Sequence, residues 1–182
     1  MSIIKANRWE NVGGTLRSTV LQTQFVSSGT RVTTTHSINF AEPSTAYRVS
    51  ITPTFTNSMI LLRYYIPLNQ NSAVNIITNI RAFRIIDGGS KNFALTSAGS
   101  TNGSRRVIAG GSFRPGNGFD LNDQNMVTFD VIDFPSTTSP TVYGFETSPE
   151  SGATITYGFS ASDNGGWGYD SDIIIIAQEI AQ

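Results

Sequence analysis

The chain has 182 residues, 38% of them hydrophobic and only 14% charged, with 12 Lys and Arg against 13 Asp and Glu and no cysteine. That length suits one domain with a real core. The balanced charge gives nucleic-acid binding no electrostatic support, and the missing cysteine excludes disulfides, thiolate metal sites and thiol nucleophiles.

Residues 1–17 (MSIIKANRWENVGGTLR) lack the continuous apolar stretch of a secretory signal, so a classical N-terminal export route is not expected. They read as an arm, with Trp9 as its large apolar anchor and a Gly13-Gly14 hinge, ahead of a domain over residues 18–182. No stretch approaches the ~20 apolar residues of a membrane span.

From residue 18 onward the pattern alternates with a period of two, the mark of a half-buried strand. Val32, Thr34, His36, Ile38 and Phe40 share one phase; Tyr47, Val49 and Ile51 share another. Val127, Phe129 and Val131, and then Ala153, Ile155, Tyr157 and Phe159, repeat it. β-branched and aromatic residues dominate, as a pleated surface favours. Asp87-Gly88-Gly89, Asn102-Gly103, Asn117-Gly118 and Asn164-Gly165 supply tight turns between the runs. The spacing predicts about ten strands, with no helix, in an all-β antiparallel sandwich. Residues 110–123 read as a long loop, and the apolar run Ile173–Ala177 reads as a buried strand.

Chemistry is sparse. The single histidine, His36, sits in apolar phase on a Thr-rich strand and reads as a structural residue. No nucleophile elbow or phosphate-binding loop occurs. Glu146 with Glu150, Asp130 with Asp133, or Asp163 with Asp170 and Asp172 could form a glycosidase-type carboxylate pair, but they read first as turn caps and surface groups. Residues 163–172 hold several oxygen ligands without the closing Glu of a calcium loop, so a plain glycine-rich loop is the expectation. No catalytic residue, metal or cofactor is expected.

Several short motifs occur in order: Ile4-Lys5-Ala6-Asn7, Val20–Gln24, Ile51-Thr52-Pro53, Ser58–Leu61, Pro135–Ser139 before Val142-Tyr143, and a closing Ile173–Ile176 with Glu179-Ile180. In these the chain resembles virion proteins of tailed phages of marine bacteria and cyanobacteria, of the fibre and capsid-decoration type. The resemblance implies a jelly-roll-like sandwich, often trimeric, mounted on the particle, with no catalytic residues to transfer. Residues 100–123 depart from the pattern.

The expectation is a structural virion protein: a capsid decoration or cement protein, or a short fibre subunit, assembled in the host cytoplasm. Its partners would be itself and a major capsid, neck or tail protein, with no nucleic acid and no membrane. Ile3, Ile4, Trp9 and Val12 would attach the arm; Phe113, Phe119, Trp167 and Tyr169 would make subunit contacts. The alternatives are a tail-fibre module that binds host glycan through loop aromatics and, more remotely, a polysaccharide depolymerase.

Overall fold

The computed structural model describes residues 19–36, 39–71, 77–93, 95, 110–113, 124–149, 153–159 and 170–182. Among these there is no α-helix. There are ten strands: β1 (Val20–Ser28), β2 (Val32–His36), β3 (Val49–Ile51), β4 (Met59–Asn71), β5 (Thr78–Ile86), β6 (Gly110–Phe113), β7 (Asn125–Asp133), β8 (Thr141–Pro149), β9 (Ala153–Tyr157) and β10 (Ile173–Ile180). A 3-10 turn at Thr45–Tyr47 precedes β3, capped by the Ser44 hydroxyl, which accepts from the Ala46 N–H.

All pairings are antiparallel. One sheet runs β1-β10-β4, with β7 on the other edge of β4, and is extended by β9 and β2; the other runs β3-β8-β5-β6. Without β2 and β9, eight strands remain. Numbered along the chain, their orders are 1-8-3-6 in one sheet and 2-7-4-5 in the other, the strand order of a jelly roll. The expected fold class is the one observed.

The two extra strands lengthen the first sheet rather than widen it. β9 and β10 occupy the same edge of β4 in succession: Tyr157 faces Leu68, and Ile174 faces Tyr65. β2 pairs with β9 as β1 pairs with β10, so β1 and β2 form one long strand broken at residues 29–31. Pro67 lies at this fork. Its carbonyl accepts from the Gly158 N–H at 3.0 Å, so its missing N–H faces the gap between β9 and β10, where it deprives no ladder partner.

The core between the sheets follows from alternation. Ile173, Ile175 and Ala177 of β10, Ile60, Leu62, Tyr64, Ile66 and Leu68 of β4, and Ile80 and Ala82 of β5 are buried in it. Four tyrosines are almost wholly buried, and each hydroxyl has a partner, as burial of a phenol requires. Tyr47 donates to the Thr30 carbonyl at 2.5 Å, Tyr64 to the Gly144 carbonyl at 3.3 Å and Tyr143 to the Asp133 carboxylate at 2.9 Å; Tyr157 shares a 2.5 Å bond with the Thr147 hydroxyl. Burial pushes the Tyr47 phenol up to about 12 and raises those of Tyr64, Tyr143 and Tyr157 as well.

One expectation needs correction. The stretch read as a loop from residue 110 opens with β6, because Gly110 and Gly111 can lie directly against Arg81 and Ile80. A Cβ on Gly110 would fall 1.9 Å from the Ile80 carbonyl oxygen, so only glycine fits there. After β5, among the described residues, Asn92 forms a bridge with Arg84. The turn between them is as predicted: Asp87 and Gly88 both have positive φ, 48° and 69°, the signature of a tight hairpin turn.

The chain enters and leaves at one end of the sandwich, where the Ala181 N–H donates to the Thr19 carbonyl at 2.9 Å. The opposite end is marked by Asn71, Thr78, Phe113 and Pro149, from which the chain runs toward or returns from its connections.

Candidate functional site

The most elaborate local architecture surrounds the point where the chain leaves the first sheet between β9 and β10. The two strands are collinear along β4, yet residues 158–172 intervene. Gly158 turns the chain out with φ of 80°, Phe159 and Asp170 pair across the base, and the Ser171 N–H returns to the Gly158 carbonyl at 3.0 Å.

This root is held from both sides. Arg31, at the break between β1 and β2, forms an ion pair with Asp170 and lies 5.7 Å over the Phe159 ring. The Ser27 hydroxyl donates to Asp172 at 2.5 Å, and the Ser171 hydroxyl donates to the Gln124 amide oxygen, just before β7, at 3.1 Å. Asp170 and Asp172, weighed in the sequence as calcium ligands or catalytic acids, thus brace the root of the excursion.

The second sheet carries an ionic lattice on its outer face. Arg48 grips Glu42 through two bonds of 2.7 and 2.8 Å, and Lys91 bridges Glu42 and Glu146 at 2.8 Å each. Arg81 completes it, 2.7 Å from Glu146 and stacked 3.6 Å from the Phe93 ring centre. Beneath lies Phe83, close against Gly144, with Lys91 4.5 Å from its centre. Burial would raise the Glu42 carboxyl, but Arg48 and Lys91 outweigh it and hold it below the usual range.

Two further acids are wholly buried. Asp133 accepts from Arg84 at 2.6 Å and from Tyr143. Glu179 has no cation partner among the described residues but collects Ser58, Thr54 and Gln22 as donors at 2.6–2.9 Å. Of the acid pairs weighed in the sequence, Asp130 and Asp133 sit on opposite faces of β7, one exposed and one buried, and Glu146 is consumed by Arg81 and Lys91. Glu150 and Asp163 lie outside the described residues. Among the described residues no three His, Asp or Glu could hold a metal ion, and none of their helices is long and apolar enough to cross a membrane.

An open hollow of about 350 Å³ lies against β4 and β7, lined by Tyr64, Tyr65, Thr128, Phe129 and Asp130. Tyr64 and Phe129 stack inside it at 4.6 Å.

Of the residues expected to contact partners, Phe113 is described, and it is 8% exposed within the core cluster. The correction follows from β6: pairing with Thr78 turns the ring inward. Ile3, Ile4, Trp9, Val12, Phe119, Trp167 and Tyr169 lie outside the described residues, as does the His36 side chain, although its backbone pairs with Ala153 in β2.

No family model matches the chain. No curated protein matches it either. Among solved structures it is similar to the infectious bursal disease virus VP2 subviral particle, with 9% identity, a TM-score of 0.41, and coverage of 90% of this chain and 40% of that one. A structure of the Gx strain of the same virus gives 12% identity and a TM-score of 0.39 over 90% and 40% of the two chains. The chain thus spans less than half the length of these proteins. So loose a likeness carries no function; the jelly-roll order stands on the chain's own strand pairing.

Proposed function

We propose that the chain is a non-enzymatic structural subunit of a virus particle, mounted through residues 1–17 as a capsid decoration protein or short fibre subunit of a tailed phage. The observation that carries this reading is the pairing order of the strands, a jelly roll in which Asp133, Glu146, Glu179 and Glu42 are all bound by the chain's own donors. A fold hosts many functions, so the site must decide, and acids locked in this way support scaffold rather than catalysis. The low charge supports an assembly part, and Thr19, where the described strands begin, lies beside Ala181 at one end of the sandwich. Self-association is part of the reading, with three copies the number that the resemblance implies.

Deletion of residues 1–17 tests it. The truncated chain is expected to fold and melt as the full chain does but to be missing from purified particles; normal incorporation overturns the attachment role.

The hollow favours a second reading, host glycan binding, because Tyr65 lines it together with the Thr128 hydroxyl and the Asp130 carboxylate. Glycan-array binding lost in both Tyr65→Ala and Trp167→Ala would support it, and silence on host surface polysaccharide would remove it.

A further inference from the structure

The two sheets finish their outer faces differently. The second is covered by the Glu42-Lys91-Glu146 lattice. The first is not. Its outward residues fall into rows set by strand register: Phe25, Ile176, Arg63 and Asp130; Ser27, Ile174, Tyr65 and Thr128; Thr23, Gln178, Leu61 and Ile132. Val20, Ile180 and Met59 form a fourth. Phe25 is 70% exposed, Val20 51% and Ile132 39%, and Met126 on the same side of β7 is 53% exposed.

β10 makes the point within one strand. It reads Ile-Ile-Ile-Ile before Ala177, the sequence of a strand covered on both faces, yet Ile173 and Ile175 are buried while Ile174 and Ile176 on the outer side are only half-buried. An apolar face of this extent on a soluble protein marks an interaction surface.

We infer that this face is where two copies of the chain pack against each other, outer sheet on outer sheet. Three observations select a second copy as the occupant. First, the four rows hold one cation and one anion, Arg63 and Asp130, side by side 3.8 Å apart and both exposed. A two-fold axis through the face sets each Arg63 beside the other copy's Asp130, so the surface is complementary to itself. Second, the chain's net charge of -1 puts almost no repulsion between copies. Third, the size fits. Nine residues of β1 span about 30 Å at ~3.3 Å each, and four strands at ~4.8 Å span about 19 Å, giving roughly 570 Å² per copy. Two copies cover roughly 1,100 Å², above the ~1,000 Å² expected of a specific interface. Twisted sheets stack in this way at about 30°.

The inference rests on the reading of the chain as a self-assembling structural subunit, and names a two-fold contact between copies, distinct from the three-fold one that the resemblance implies. Light scattering on the purified full chain at ~100 µM tests it, alongside Phe25→Asp, Ile132→Asp and the double variant. Both side chains are exposed, so the variants are expected to keep the circular dichroism and melting of the wild type. The expected result is a wild-type mass at least twice that of the monomer, falling to the monomer in the double variant. A monomeric wild type, or a double variant of unchanged mass, overturns the assignment. A monomeric wild type whose β10 amides gain exchange protection only on the particle overturns it too, in favour of another virion protein as the occupant. Failure of the virion reading shows elsewhere, as absence of the full chain from particles.

Discussion

The Ser58 hydroxyl donates at 2.6 Å to the carboxylate of Glu179, joining the segment before β4 to the end of β10 across 121 positions of sequence. The Thr54 N–H and hydroxyl and the Gln22 amide join it at 2.6, 2.9 and 2.7 Å, so among the described residues a wholly buried charge is held by neutral donors. Charge-assisted bonds of this kind are the stronger class. They tie β1, residues 52–58 and β10 together at the end of the sandwich where Thr19 meets Ala181.

The Glu179 latch is acid-labile. Burial alone would raise the carboxyl, but the Ser58, Gln22 and Thr54 bonds outweigh it and hold it below the usual range. A lowered folded-state value means that the stabilisation is fully present above the unfolded glutamate value, roughly 4.3. It is lost as pH falls through the lower folded value. Thermal melts from pH 7 to 2 are expected to show a drop below about pH 4.3 that Glu179→Gln flattens. At pH 7 the variant is expected to lose about 1–3 kcal/mol, since the amide can accept only part of what the carboxylate accepts. An unchanged acid limb in Glu179→Gln would remove the latch as its source.

Gly144 is required by Phe83. A Cβ there would lie 2.6 Å from the ring's Cζ, so the ring must lift and leave its place beneath Lys91. Gly144→Ala is expected to cost about 1–3 kcal/mol, the usual price of overpacking. In a Phe83→Ala background the same change is expected to cost nothing measurable. Denaturant melts of the four proteins give the coupling directly; equal costs in both backgrounds would refute the contact.

Much of this was legible in the sequence, and the rest was withheld for identifiable reasons. The period-two runs at Tyr47-Val49-Ile51 and Val127-Phe129-Val131 fall in the core as their phase predicts. β6 was hidden because its two glycines read as a breaker; their reason is the close approach to β5, a contact distant in sequence. The excursion between β9 and β10 was equally hidden, since collinearity along β4 is a property of the sheet. The buried acids did leave a sign. Glu179 continues the phase of Ile173, Ile175 and Ala177, and Asp133 that of Val127, Phe129 and Val131. An acid in core phase needs a partner. The alternation names the residue but not the partner, because Ser58 and Arg84 arrive from other strands and turns.

Lys91 holds two carboxylates apart. Glu42 and Glu146 are each 2.8 Å from its ammonium, and both are largely buried. Lys91→Met leaves them facing each other with only Arg48 and Arg81 as counter-charges. The expected loss is about 2 kcal/mol, between the values for exposed pairs and for fully buried ones. Lys91→Met with Glu146→Gln is expected to recover at least half of it, because the repulsion disappears. Stability measured by urea melts at low and high salt checks this: the single variant is expected to gain from added salt, which screens like charges, and the double variant is not.

Asp133 offers the sharpest contrast between breaking a buried pair and replacing it. Its carboxylate is wholly buried, 2.6 Å from Arg84 and 2.9 Å from the Tyr143 hydroxyl, and the nearby negative charge helps burial raise that phenol. Asp133→Ala strands a mostly buried guanidinium and a buried hydroxyl together, and the expected loss is about 3–5 kcal/mol. Removing the whole cluster is a different operation. Asp133→Leu with Arg84→Met and Tyr143→Phe leaves no polar group unpaired, and the desolvation cost of the ion pair vanishes with it. The triple variant is expected to fall within about 1 kcal/mol of the wild type. Urea melts of the single and triple variants decide between this account and one in which each side chain contributes independently, for which the triple variant must be the least stable of all.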